Sequence, residues 1–203
     1  MIRAMPLTLR TTHLLYLHGF RSSPQSTKAR MMAGRVAREY PGVSWWCPQL
    51  PPSPHAAMDM VMQRIGGWPA ASTAVVGSSL GGFYATWVAE RLACKAVLLN
   101  PAVDPARDLA HYIGEQSAWH DPQERFFFEP AFVDELRALQ CDGPARAQNY
   151  YALIAEGDEV LDWHEMLARY PGATVKLLEG GDHALSDFDV HIDGVFDFLN
   201  LAA

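Results

Sequence analysis

Six short apolar runs divide the chain, at residues 12–17, 43–47, 72–77, 96–99, 150–155 and 173–178. Each is apolar nearly throughout rather than alternating, the pattern of strands covered on both faces, as in parallel sheets. Helical patterns separate them. Ala29, Met32, Ala33, Val36, Ala37 and Tyr40 form one apolar face at helical spacing, ended by Pro41-Gly42. Residues 56–65, 83–92, 163–170 and 189–199 also read as helices, the last with Ile192, Val195, Phe196 and Leu199 inward. Strands alternating with helices imply a doubly wound α/β fold: a six-stranded parallel sheet, helices on both faces, and right-handed crossovers. At 203 residues and 49% hydrophobic, the expectation is a single domain over 1–203. Two stretches depart from the rhythm. Residues 1–11 read as a loose leader. Residues 102–149 carry short helix candidates around Leu109 and Val133–Leu139, with Trp119 and Phe126-Phe127-Phe128 between them, and read as a lid-like insertion. The aromatic triplet is expected to be core.

The third strand leads into Gly77-Ser78-Ser79-Leu80-Gly81-Gly82 and then directly into a helix. Strand, tight turn and helix with Gly77-x-Ser79-x-Gly81 on the turn is the context of a nucleophile elbow. Ser78 does not fit, because Val76 and Leu80 would take the places of its glycines. In doubly wound sheets the functional site lies beyond the carboxyl ends of the strands. His18-Gly19-Phe20-Arg21 follow the first strand and Glu156-Gly157-Asp158-Glu159 the fifth. Glu179-Gly180-Gly181-Asp182-His183 follow the sixth. Serine, then aspartate, then histidine, each just past a strand end, is a triad in α/β-hydrolase chain order.

The chemistry explains the residue types. A serine hydroxyl is a poor nucleophile without a base in hydrogen-bond reach, and an imidazole is a suitable base near neutral pH. A buried carboxylate holds the imidazole in the required tautomer. These roles fall to Ser79, His183 and Asp158. The backbone N–H groups of Leu80 and Phe20 are expected to form the oxyanion hole. His18 reads as a structural histidine shaping the first loop, because it does not follow the acid in chain order. His191 lies on the closing helix, and His55, His111, His120 and His164 lack a strand end before them, so all read as surface or satisfied polar residues.

Several motifs together resemble the YqiA-like esterases, a small bacterial branch of the α/β-hydrolases. They are Tyr16-Leu17-His18-Gly19-Phe20 with Ser22-Ser23-Pro24, Pro48-Gln49-Leu50-Pro51-Pro52, the elbow, Asn100-Pro101-Ala102-Val103, Gly157-Asp158-Glu159-Val160-Leu161-Asp162 and Glu179-Gly180-Gly181-Asp182-His183-Ala184. The similarity runs from about residue 12 to the end. It implies a cytosolic esterase or thioesterase with no cofactor, whose triad positions fall on Ser79, Asp158 and His183. The chain departs from the resemblance in residues 1–11 and 104–149, and an insertion at the latter place often lines the acyl pocket in such folds. The expected partner is a small-molecule acyl ester or thioester. The alternatives are acyl transfer to an acceptor other than water, or a binding module that holds a small ligand without turnover.

Charge sets the remaining expectations. The net charge is −7, which argues against nucleic acid as a partner. Residues 1–40 hold seven basic residues against one acidic, a local +6 that leaves −13 for the rest. Within that basic part, Arg21, Lys28 and Arg30 are expected to ring the pocket mouth and favour an anionic substrate. Cys47, Cys94 and Cys141 are odd in number and stand far apart, as in a reduced cytoplasmic chain. No His/Asp/Cys cluster has metal-ligand spacing. No apolar run approaches a membrane span or a signal-peptide core, so no membrane association is expected.

Overall fold

The computed structural model describes residues 9–119, 121 and 123–202. Its main sheet has six parallel strands: β1 (His13–Leu17), β2 (Ser44–Trp46), β3 (Thr73–Ser78), β4 (Lys95–Leu99), β7 (Tyr150–Ala155) and β8 (Thr174–Leu178), in the order β2-β1-β3-β4-β7-β8. The chain first moves outward from β1 to β2 and then returns to the other side of β1 with β3. The topological switch point therefore lies between β1 and β3, where such sheets place their sites.

Successive side chains on the strands point to opposite faces. Leu15, Leu17, Val75, Ala96, Leu98, Ala152 and Ile154 pack under α2 (Pro54–Ile65) and α3 (Leu80–Leu92). Their neighbours Leu14, Tyr16, Ala74, Val76, Val97, Leu99 and Leu153 pack under α1 (Thr27–Glu39) and α7 (Phe188–Leu199). The continuous apolar runs are thus shared between two cores. The edge strands differ from that pattern. Ser44 of β2 is exposed, and β8 exposes Thr174, Lys176 and Leu177. An edge strand has a neighbour on one side only and is less completely covered.

The expected leader and insertion carry more regular structure than their composition suggested. Residues 1–8 lie outside the described residues. Thr11, at the leader's end, is buried and forms a parallel bridge with Leu201, and its hydroxyl donates to the Leu199 carbonyl at 2.7 Å. Between β4 and β7 lie α4 (Pro105–Asp108), an antiparallel hairpin of β5 (Gly114–Ser117) and β6 (Arg125–Phe128), and α5 (Pro130–Ala138). The phenylalanine triplet is a strand rather than a core plug. Phe128 is buried, Phe126 half-buried and Phe127 58% exposed. Alternation along β6 accounts for the difference. The last helix of the main fold before α7 is α6 (Trp163–Arg169), capped by Asp162, whose carboxylate accepts from the His164 N–H at 2.8 Å.

Candidate active site

Ser79 stands between β3 and α3 with φ 57° and ψ −122°. A non-glycine residue in that region is strained by roughly 1–3 kcal/mol and persists only where its surroundings hold it. Here the backbone is held on both sides. The Ser79 N–H donates to the Leu99 carbonyl at 3.0 Å, and its carbonyl accepts from Gly82 at 2.8 Å and Ala102 at 3.0 Å. The flanking glycines are required by approach. A Cβ on Gly77 would collide with the Gly81 carbonyl, and one on Gly81 with the carbonyl of Leu17. The strand and helix meet too closely at the turn for any other residue.

The register of β1 on β3 sets what faces the serine. Leu17 pairs with Gly77, so two residues further on Gly19 comes opposite Ser79. A Cβ on Gly19 would stand 3.1 Å from that of Ser79. Phe20, next in the chain, and Leu80 both line the cavities beside the serine. As the first residue of α3, Leu80 has an N–H without an intrahelical partner.

His183 and Asp158 reach the serine from the ends of β8 and β7. His183 Nδ1 lies 2.7 Å from Asp158 Oδ2, and Nε2 lies 3.0 Å from Ser79 Oγ. The Asp158 side chain is fully buried. Its other oxygen, Oδ1, accepts from the N–H groups of Val160 and Leu161, both at 2.8 Å. With the carboxylate accepting at both oxygens, Nδ1 carries the imidazole proton and Nε2 presents a lone pair to the hydroxyl. Asp182, adjacent to His183, turns away and accepts from the N–H and hydroxyl of Ser186.

Two residues that support His183 were not singled out by the sequence argument. Glu159 accepts from the His183 N–H at 3.0 Å. Asn100 is completely buried at the end of β4, with φ 43°. Its Nδ2 donates to the carbonyls of Asp182 at 3.0 Å and His183 at 3.3 Å, while Oδ1 accepts from Ala155 at 2.9 Å. One amide thereby ties the β7 end to the histidine loop. The only local signal is an asparagine at a strand end before a proline. His18 is buried, and Nε2 accepts from the Leu50 N–H at 3.1 Å, which anchors the β1 loop to the proline-rich segment after β2.

The three expected mouth cations separate. Lys28 lines a cavity together with Ser79 and His183, and its Nζ donates to the Ala184 carbonyl. Arg21 lines two other cavities that flank Phe20 and Leu80 but is engaged by the insertion. Its Nε donates to the Ser117 carbonyl at 2.6 Å, and its guanidinium lies 4.1 Å over the Trp119 ring. Arg30 is exposed and lines none of these cavities, because position 30 faces outward on α1. The expectation that three cations ring the mouth is corrected for Arg30, which stands in solvent, whereas Lys28 and Arg21 both line cavities beside the nucleophile, Arg21 while held by the hairpin. His120 lies outside the described residues.

Besides the cavity that holds Lys28, another reaches Ser79 and His183, with a volume of about 500 Å³ and with Leu109, Tyr112, Trp119 and Leu161 among its walls. Across Phe20 and Leu80 lies a second of about 340 Å³, backed by Leu50, Pro51, Met60, Tyr84 and Phe126. Both are mostly apolar. Among the described residues no group of three His, Cys, Asp or Glu side chains is arranged to hold a metal ion. Nor is any helix among them long and apolar enough to cross a membrane. Burial pushes the Cys47 and Cys94 thiols up to about 12, which leaves them unreactive near neutral pH.

A family model described as an uncharacterised protein family, UPF0227, matches residues 13–200. Among solved structures, Est1E from Butyrivibrio proteoclasticus is similar, with TM-score 0.71 and 14% identity over 94% of this chain and 87% of that one. The mouse alpha/beta hydrolase domain-containing protein 10 has TM-score 0.66 and 17% identity, over 95% and 92% of the two chains. The esterase domain of a Rhodothermus marinus protein has TM-score 0.63 and 19% identity, over 96% and 86%. Likeness at these identities establishes the α/β-hydrolase fold.

Proposed function

The chain belongs to the UPF0227 family, the YqiA-like family that its motifs resemble, and on that premise we propose that it is a serine hydrolase of carboxylic esters or thioesters. The observation that carries this reading is the unbroken chain of polar contacts from Asp158 through His183 to Ser79, with the serine on a strained turn that aims its hydroxyl into a cavity. Ser79 Oγ attacks the acyl carbonyl while His183 Nε2 takes the hydroxyl proton. Asp158, fixed by two backbone N–H groups, stabilises the imidazolium that results. The amides of Phe20 and Leu80 stabilise the oxyanion. His183 then returns the proton to the departing alcohol or thiol, and water repeats the cycle on the acyl-enzyme. Apolar walls around both cavities that flank Phe20 and Leu80 suit a modest hydrophobic acyl group.

The test is covalent labelling. A fluorophosphonate is expected to label Ser79, and Ser79→Ala to lose both label and turnover on a panel of esters and thioesters, whereas Ser78→Ala keeps most of both. Label at another residue, or full turnover in Ser79→Ala, overturns the reading. Labelled Ser79 without hydrolysis, but with transfer to an added alcohol or amine, reassigns the chain to acyl transfer.

A further inference from the structure

On the face of the sheet covered by α1, a third cavity of about 220 Å³ meets the same serine and histidine. Its chemistry differs from that of the other two. Among its lining residues are the hydroxyl-bearing Tyr16, Ser22, Ser26 and Ser78, one ammonium from Lys28, and no carboxylate. The larger cavities each carry acid, Glu124 in one and Asp108 with Glu159 in the other. In a chain of net charge −7, a pocket beside the nucleophile lined by a lysine and no acidic side chain suits negative charge better than its acid-bearing neighbours do.

Three kinds of donor converge there. Lys28 spends one N–H on the Ala184 carbonyl, and an ammonium has two more. Burial pulls its pKa down to about 8, with Asp182 and Asp158 opposing that shift, so it is a cation at neutral pH. Tyr16 is completely buried, and its hydroxyl makes no hydrogen bond of full geometry, its polar neighbours being the hydroxyls of Ser26 and Ser78. Burial raises its pKa, and the nearby Ser26 and Ser78 hydroxyls only moderate the rise, so the phenol stays a neutral donor. Held only by those two weakly placed hydroxyls, the phenol keeps a proton that a stronger acceptor would take up. Ser26, the N-cap of the 13-residue helix α1, lines the cavity and makes no side-chain capping bond, so the positive end of the helix stands beside it.

We propose that this cavity is a subsite for a compact oxyanion, a carboxylate or phosphate that the substrate carries within a few bonds of its scissile ester or thioester. The inference rests on the hydrolase reading and narrows it from acyl esters in general to those bearing a nearby negative charge. Its size admits a carboxylate or phosphate on a short linker. A nucleotide headgroup stays outside, so a coenzyme A thioester gains nothing here from its distant phosphates.

The test uses two pairs of substrates differing in charge. Nitrophenyl hemisuccinate against nitrophenyl pentanoate places the anion in the acyl half, and acetoxyacetate against its methyl ester places it in the alcohol half. The readout is the ratio of kcat/KM within each pair, for wild type, Lys28→Met and Tyr16→Phe. Wild type is expected to favour the anionic member of at least one pair by about tenfold or more. That ratio should fall roughly tenfold in Lys28→Met and severalfold in Tyr16→Phe, the size expected for charge-assisted and neutral hydrogen bonds. The responding pair identifies which half of the substrate enters. Tyr16→Phe removes a single oxygen and keeps the test open if Lys28→Met does not fold. A wild type blind to charge, or a ratio that neither variant changes, overturns the subsite. So does a loss in Lys28→Met that is equal for both members of a pair, since it marks Lys28 as only a prop for the His183 loop. Fluorophosphonate labelling in the same samples separates the two levels. Labelled Ser79 with charge-blind kinetics removes the subsite alone, whereas unlabelled Ser79 without turnover removes the hydrolase reading and the subsite with it.

Discussion

Asp158 and Asp162 stand four positions apart and have unlike environments. Asp158 is buried and bonded to His183 through one oxygen and to two backbone N–H groups through the other. Asp162 is exposed and caps α6. Bonds from the His164 N–H and ring hold the Asp162 carboxyl below its ordinary range. Asp158→Asn is expected to lower kcat by about 10⁴, as in the Ser-His-Asp template, because an amide in place of the carboxylate favours the wrong imidazole tautomer. Asp162→Ala is expected to leave kcat nearly intact and to lower stability through the loss of an N-cap. In a chain of this size that lowers Tm by a few degrees. Kinetics and thermal melts on the two variants check both outcomes, and similar effects at both positions would mean the acid is misassigned. The distinction between the two aspartates was legible from their distance to the strand end. The support that Asn100 and Glu159 give to His183 was not, because their partners lie 82 or more and 24 positions away respectively.

At the scale of elements, the β5–β6 hairpin is where the chain departs furthest from its sequence pattern. Arg21 joins it to the β1 loop through both Ser117 bonds, through stacking on Trp119 and through its own carbonyl, which accepts from the Trp119 N–H at 2.8 Å. Phe20, beside it, contacts Tyr112, Phe126 and Phe128 at ring-centroid distances of 5.3–5.9 Å. The loop that carries one expected oxyanion donor is therefore clamped to the insertion. Arg21→Ala is expected to speed amide exchange along β5 and β6 and to raise KM severalfold for a neutral butyrate ester, because Trp119 and Phe126 wall the two cavities that flank Phe20 and Leu80. Unchanged exchange in the hairpin would show that Arg21 does not hold it. A hairpin of four-residue strands has little periodicity to read, and Phe126-Phe127-Phe128 gives the same letters for a core plug as for a strand. Only the alternation of burial tells them apart.

For the molecule as a whole, the basic first part and the acidic remainder meet at the site. Lys28 on α1 faces the β8–α7 loop, with Asp182 and Asp158 raising its pKa and burial lowering it to about 8. The ammonium is the form that attracts an anion, so any preference for a charged ester is complete well below that value and disappears as pH rises through it. Neutral esters lack this dependence. Rate ratios for the hemisuccinate and pentanoate esters from pH 6.5 to 9.5 test this, and a ratio flat over that range would exclude the ammonium as its source. The sheet, its parallel sense, the elbow and the chain order of Ser79, Asp158 and His183 were all legible in the pattern of residues. Those depend on local grammar: apolar runs buried on both faces, glycines where backbones touch, and strand ends that a doubly wound sheet brings to one edge. Tertiary structure alone decided which cation reaches the serine, what the insertion becomes and which groups hold the histidine. Each of those depends on the direction in which a side chain leaves its backbone and on partners far away in the chain. Lys28 turns inward while Arg30, two residues on and about 200° around the same helix, turns to solvent.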